Sequence, residues 1–299
     1  MATTAPPAPP ITPPGEKVEA HQPSTVWATT RTYIGVAIII VWGLAPAIWM
    51  IITSFRPADF TFENSIWPSH PTLDNYQAAF STDLGNHLGQ ALANSAFISI
   101  TVTAIGLIFG IFAAYALARL KFTGKYLLVG FILGASMFPL VALVTPLFQL
   151  FTNIGWIGTY QALIIPDISF VLPLTIYTLT AFFTEMPWDL EEAARMDGCT
   201  PGQAFRKIIL PLATPGLFTT AILAFIAAWN EFLIASQLSS SQTQPVTVAI
   251  AGFTGSQPHQ DPYTTVMAAG TIVTLPLLIM VLLFQKRIVS GLTAGGVKG

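Results

Sequence analysis

Polar side chains stand in several long apolar segments of this chain, where they could bind a solute. Asn230 and Glu231 are adjacent near the end of one such segment, and Asp167 lies near the start of another. A carboxylate at membrane depth is costly and usually faces a bundle interior or water. Solute contact or gating is one interpretation, and a carboxylate paired or solvated near an interface is the other. The residues that could offer hydrogen bonds or ring stacking are Gln149, Asn153, Tyr177, Asn230 and Glu231.

Nothing else in the sequence indicates catalysis, a metal site or a nucleotide site. Cys199 is the single cysteine, so it can form neither an internal disulfide nor a cysteine-based metal cluster. The nucleotide-binding pattern G-x-x-x-x-G-K-[S/T] does not occur. The histidines are scattered over the N-terminal segment and the predicted outer loops, at His21, His70, His87 and His259. The sequence therefore predicts that the chain is not an enzyme and binds no metal or cofactor itself.

The composition is that of a protein surrounded by lipid. Hydrophobic residues make up 53% of the 299 residues and charged residues only 9%. A soluble domain carries about 25% charged residues, because water must wet its surface. The net charge of −2 gives no indication of nucleic acid binding. The composition thus predicts an all-α membrane protein.

Charge-free apolar stretches long enough to cross a bilayer as helices recur along the chain. We place six of them at 33–54, 91–117, 126–151, 161–183, 213–236 and 263–285. Several contain proline, which predicts kinked helices packed against neighbours. Residues 1–28 are instead rich in proline and poor in large apolar side chains. They predict a disordered tail ahead of a transmembrane domain at 29–299.

The distribution of lysine and arginine predicts the orientation of the six spans. Of the 12 such residues, all except Arg56 lie on one side of the six-span arrangement. By the positive-inside rule that side is cytoplasmic, together with both termini and the segments 118–125 and 184–212. The second span also carries small residues at every fourth position, at Gly106, Gly110, Ala114 and Ala118. This stripe is consistent with close helix packing or with the ordinary abundance of such residues in membrane helices.

The cytoplasmic segment 184–212 predicts two short helices separated by a glycine turn. Acidic residues at its start favour the N-terminal end of a helix, and Gly198 is a natural stop. Thr200 and Gln203 then fit a capping box, and we expect the second helix to end at Pro211. Such a pair of helices would lie at the membrane surface. A small face of exposed alanines on the first helix suits insertion into a cleft of another protein.

This segment fits the pattern E-A-A-x3-G-x9-I-x-L-P, and it resembles the permease subunits of binding-protein-dependent ABC importers. The matching residues are Glu192, Ala193, Ala194, Gly198, Ile208, Leu210 and Pro211, with Asp197 beside the glycine. In that family the segment is the coupling helix, which docks into a groove on the ATPase subunit. The resemblance implies a permease with the type I importer fold. It also implies that ATP and Mg²⁺ are bound by the ATPase partners.

The end of the chain resembles the second permease of maltose-type sugar importers, whose tail contacts the ATPase dimer. Gly295, Gly296 and Lys298 are the tail residues for which the resemblance implies that contact. The implied partners are a second permease, the ATPase dimer and an extracellular substrate-binding protein or lipoprotein. Across most of the chain, the resemblance is greatest to the trehalose-importer permeases of mycobacteria.

The cargo implied by this resemblance is a disaccharide such as trehalose. Maltose-like sugars and glycerol phosphate are the alternatives within the same family. An ion-coupled secondary transporter is a more distant alternative, because it would usually show central titratable residues in broken helices. The predicted location is the plasma, or inner, membrane of the cell.

Overall fold

The computed structural model describes residues 25–253 and 262–294, and the side chains of 27–253 and 262–285. This part of the chain is helical, with no strand. Its α-helices are α1 (Thr25–Ser54), α2 (Asp74–Phe80), α3 (Leu88–Arg119), α4 (Lys125–Ser136), α5 (Leu140–Asn153), α6 (Tyr160–Glu185), α7 (Asp189–Met196), α8 (Pro201–Ala204), α9 (Leu210–Leu212), α10 (Thr214–Trp229), α11 (Leu233–Leu238), α12 (Val246–Ala251) and α13 (Tyr263–Ala294). Nearly all of the tail predicted to be disordered, and Gly295, Gly296 and Lys298, lie outside the described residues.

The helix lengths confirm the predicted class of all-α membrane protein. Four helices are long and apolar enough to cross a bilayer, namely α1, α3, α6 and α13. Two further candidates are bent pairs, α4 with α5 at 86° and the helical stretch Pro201–Leu212 with α10 at 70°. Six crossings result if each bent pair counts as one span.

Two of the predicted spans are less regular than their composition suggests. The span predicted at 126–151 is broken near Pro139, which lacks an N–H and has an extended backbone with φ −67° and ψ 116°. The span predicted at 213–236 is wrong at its end, because α10 stops at Trp229 and a separate helix begins at Leu233. Apolar composition continues across the first break, so hydrophobicity alone does not reveal it, whereas the second break coincides with the polar residues Asn230 and Glu231.

The described residues form two compact units, 25–49 and 50–294. The first unit contains most of α1, whose surface is predominantly apolar. In the second unit, buried side chains of α3, α6, α10 and the short helix α11 form one apolar core. A separate buried cluster lies where segment 184–212 meets α3 and α6, and it includes Phe183, Phe205 and Ile209.

The stripe of small residues on α3 is a packing surface for α6. Gly106, Gly110 and Ala114 are buried. A methyl group built on Gly110 would overlap the Cγ2 methyl of Thr175 on α6. At Gly106 the nearest α6 atom would be Cγ1 of Val171 at 3.5 Å, an ordinary contact. Close helix packing is therefore the correct interpretation of the stripe, and Gly110 marks its tightest point.

Arg56 holds together the segment that follows α1. It is 1% exposed, and its guanidinium donates hydrogen bonds to the carbonyl oxygens of Thr61, Ser65 and Ile66 at 2.6–3.2 Å. Asn75 of α2 donates to the carbonyl oxygen of Arg56 at 2.7 Å. The arginine that departs from the charge bias thus donates from both terminal nitrogens to backbone carbonyls.

Candidate functional site

Segment 184–212 folds as the predicted helix, glycine turn and second helix. α7 begins at Asp189, with acidic residues in its first turn, and ends at Met196. Gly198 follows at φ +86°, a left-handed conformation that favours glycine. Thr200 caps α8 by accepting a bond from the N–H of Gln203 at 3.3 Å, and Gln203 Oε1 accepts the N–H of Thr200 at 2.9 Å. The predicted capping box is confirmed.

The second helix differs from the prediction in its backbone and in its end. It continues from α8 through a π-helical turn, Phe205–Ile209, in which the Leu210 N–H bonds to the Phe205 carbonyl. It then runs on to Leu212, so the expected end at Pro211 is wrong by one residue. Pro211 has no N–H to donate to a preceding turn, and it is exposed near the 70° bend that leads into α10.

The motif residues divide into an exposed set and a set that anchors the segment. The exposed residues are Glu192, Ala193, Asp197, Gly198 and Pro211. Ala194 is buried, Ile208 is half-buried, and Leu210 is half-buried against the apolar cluster. The expected exposed face of alanines is therefore wrong for Ala194. Leu190, Ala193 and Met196, the last of which is 89% exposed, supply the exposed apolar surface of α7.

Sequence reasoning missed the residues that attach this segment to the transmembrane helices. Glu191, which precedes the motif, is buried and accepts a hydrogen bond from the hydroxyl of Tyr115 on α3 at 3.0 Å. Arg195 donates to the same carboxylate oxygen at 3.1 Å. The spacing of four residues between Glu191 and Arg195 was the one signal in the sequence, since such pairs lie on one helix face.

Asn230 and Glu231 lie beside Asp167 at a cavity of about 300 Å³. Its remaining wall is apolar and aromatic, with Phe170 and Phe232 among the lining residues. Cavities of this size lined by apolar groups with a few polar ones are typical of small-molecule sites. The cavity lies at the break after α10, where Asn230 caps the end of the helix and Glu231 follows it.

The two carboxylates at this cavity have different surroundings. Glu231 accepts hydrogen bonds from the N–H groups of Ile234 at 2.7 Å and Ala235 at 2.9 Å, so it caps the first turn of α11. Asp167 on α6 is 4% exposed, and its Oδ1 has no hydrogen-bond partner within the described part of the chain. Glu231 thus has a structural role, whereas Asp167 keeps an oxygen free to accept a bond.

The other predicted pathway residues lie elsewhere. Gln149 and Asn153 are exposed on α5, and neither lines the cavity of Asp167. Tyr177 lines a different cavity of about 320 Å³, formed by α3, α4 and α6 near Glu185. The structure therefore brings Asn230 and Glu231 together with Asp167, and it separates them from Tyr177.

Comparisons with known proteins agree with this arrangement. The trehalose transport system permease protein SugB of Mycobacterium tuberculosis is 47% identical over 277 residues, which cover 92% of this chain and 98% of SugB. The trehalose/maltose transport system permease protein MalG of Thermococcus litoralis is 43% identical, over 89% of this chain and 95% of MalG. A solved bacterial ABC transporter involved in alginate import includes a chain with the same fold. That match has a TM-score of 0.71 and 22% identity, and it covers 89% and 98% of the two chains.

The sequence profile of one family matches residues 106–293, a range that contains all of segment 184–212 and both cavities. This match and the relatives confirm the resemblance stated from the motif, and with it the prediction of a transport subunit rather than an enzyme. The chain belongs to the family described as the binding-protein-dependent transport system inner membrane component, the permeases of ABC importers.

Proposed function

We propose that this permease imports a disaccharide, with trehalose as its cargo, and that ATP hydrolysis by partner subunits drives the transport. The observation that supports the cargo is the similarity along almost the whole chain to two permeases named for trehalose. The wall of the Asp167 cavity suits such a ligand, since aromatic rings and acceptor oxygens bind the faces and hydroxyl groups of sugars.

The driving partner in this proposal is an ATPase dimer, which binds the ATP and Mg²⁺ and docks on α7. The support is structural: Glu192, Ala193 and Met196 are exposed on one short helix, while Glu191 and Ala194 anchor it beneath. Closure of the ATPase dimer would pull this segment and move the permease between two conformations. This is alternating access driven by a partner subunit. The tail residues Gly295, Gly296 and Lys298 are proposed as a second contact with the ATPase.

The proposed assembly also contains a second permease and an extracellular binding protein. A paired permease is proposed to complete the solute path at the Asp167 cavity. Asp167 and Asn230 are proposed to accept and donate hydrogen bonds to the passing sugar. Glu231 is proposed to shape the cavity, because both of its oxygens already cap α11. Gln149, Asn153 and Tyr177 stay predictions for other parts of the path.

Uptake by a strain that lacks this gene tests the cargo. We expect radiolabelled trehalose uptake to be lost and to return when this chain is supplied, while maltose and glycerol phosphate uptake are unchanged. If uptake of maltose or glycerol phosphate is lost while trehalose uptake is normal, the lost solute is the cargo, and the chain is still an importer subunit.

Variants in the same strain test the solute path. We expect Asp167→Asn and Asn230→Ala to lower the rate of sugar uptake by roughly tenfold, about the effect of one hydrogen bond to a charged or buried group. The preference between trehalose and maltose should not change, because the paired permease and the binding protein share the selection. Leu174→Val, an apolar change in the same wall, is the control and should keep wild-type uptake.

The orientation proposed from the charge bias puts both termini and segment 184–212 in the cytoplasm. The test uses single cysteines introduced in a Cys199→Ser background and an impermeant thiol reagent on intact cells. We expect labelling of Ser241→Cys, an exposed position between α11 and α12, but not of Thr123→Cys, which is exposed between α3 and α4. Labelling of Thr123→Cys alone would mean that the charge bias predicts the wrong orientation.

A further inference from the structure

We propose that Tyr115 and Glu191 form the connection through which movement of the coupling segment reaches helix α3. This inference rests on the proposed function, in which an ATPase docks on α7. It concerns what happens on the other side of α7, where the segment meets the transmembrane helices. Tyr115 and Arg119 lie in the last two turns of α3, and Glu191 lies in the first turn of α7.

Glu191 points away from the surface that a docking partner would cover. It is 4% exposed, whereas the neighbouring Glu192 is exposed. One oxygen of the Glu191 carboxylate accepts bonds from Tyr115 and from Arg195. A buried carboxylate is costly unless it is paired and hydrogen-bonded, and both bonds meet that need. The bond from Arg195 lies within α7, whereas the bond from Tyr115 attaches α7 to α3.

Arg119 provides a second attachment of α3 to the same segment. It is 5% exposed, and its Nη2 donates to the carbonyl oxygen of Met186 at 2.8 Å. Its guanidinium carbon lies 4.6 Å from the ring centre of Trp188, within the range of a cation–π contact. Met186 and Trp188 lie between α6 and α7, so Arg119 fixes the entry into the coupling helix.

The ring of Tyr115 is itself held on two sides. Its centre is 4.5 Å from the ring of Phe205 in the π-helical turn and 5.9 Å from the ring of Phe183 on α6, with the latter pair edge to face. Packing on both sides leaves the hydroxyl directed at Glu191. The end of α3 and the coupling segment therefore form one packed body, and displacement of α7 displaces α3 with it.

Removal of one hydroxyl group tests this connection in the assembled importer. The experiment purifies this permease with its partner subunits and measures ATP hydrolysis stimulated by binding protein loaded with the solute that the uptake assay identifies. We expect Tyr115→Phe to keep the ATPase bound and to lower the stimulation about tenfold, since the bond lost is one to a charged group. Tyr126→Phe, which removes a hydroxyl from a tyrosine that is 89% exposed, should keep wild-type stimulation.

A double variant shows whether the two residues act through each other. Glu191→Gln should lower the stimulation to a similar degree, and Tyr115→Phe with Glu191→Gln should be no worse than the more severe single variant. Losses that multiply would overturn the connection. Full stimulation in Tyr115→Phe would overturn it as well. Release of the ATPase subunits from Tyr115→Phe would also overturn it, because the hydroxyl would then serve only the fold of the segment.

Co-purification of the ATPase with the Glu192→Lys permease tests the docking surface separately. If Glu192→Lys leaves the ATPase bound, the proposed docking surface is wrong. If that substitution releases the ATPase while Tyr115→Phe behaves as wild type, docking stands and only the connection to α3 is lost.

Discussion

Substitution of Glu192 by lysine is expected to abolish sugar uptake, with a fall of roughly a hundredfold, as for reversal of a charge inside a tight interface. Glu192 is exposed on α7, and it lies beside the exposed Ala193 on the face proposed to enter the ATPase. A lysine there places the opposite charge in the groove without disturbing the buried Glu191. Uptake and co-purification of the ATPase with a tagged permease are the measurements.

The control for this charge reversal is Asp83→Lys, in the exposed turn between α2 and α3. It makes the same change in net charge on the other side of the membrane in the proposed orientation. It should leave uptake and ATPase binding at wild-type values. Equal loss of uptake in both variants, with the ATPase still bound, would contradict a specific role of Glu192.

Substitution of Gly110 by alanine is expected to destabilise the packing of α3 on α6 by about 2 kcal/mol, the usual cost of overpacking a core. The added methyl group would overlap Cγ2 of Thr175. Thr175 cannot easily turn aside, because its Oγ1 donates to the Val171 carbonyl at 3.0 Å in its own helix. The thermal midpoint of the purified importer should fall by roughly 5 °C.

Two variants decide whether that contact is the cause. Thr175→Ser removes the Cγ2 methyl and keeps the hydroxyl, so it should restore most of the midpoint when combined with Gly110→Ala. Gly106→Ala, one turn away on α3, has space for its methyl group at 3.5 Å from Val171 and should cost little. A loss in Gly110→Ala that Thr175→Ser does not restore would exclude this overlap as the reason.

The class of fold is predictable from composition, but the breaks in the helices are not. The charge-free stretches correctly predict an all-helical membrane protein, because lipid exposure demands apolar side chains at every turn. Hydrophobicity does not report backbone geometry, and so α4 and α5 were predicted as one span. The predicted span at 213–236 likewise includes Asn230 and Glu231, although α10 ends at Trp229.

Segment 184–212 is the part of the candidate site that the sequence predicts best. Gly198 and the Thr200–Gln203 cap are predictable because each depends only on residues a few positions away in the sequence. The partners of Glu191 are not local, since Tyr115 is 76 residues away. Asp167 and Glu231 meet at one cavity for the same reason, through packing of α6 against the end of α10. Pairings of this kind depend on the tertiary structure.

The π-helical turn at Phe205–Ile209 has a consequence for the length of this region in evolution. A π turn corresponds to one residue added to an α-helix, and its removal would restore α-helical register. Deletion of one residue at Phe205–Ile209 would therefore leave a regular α-helix whose flanking parts keep nearly their present orientation. We expect this turn to be the point between Gly198 and Pro211 at which the segment accepts a change of one residue in length.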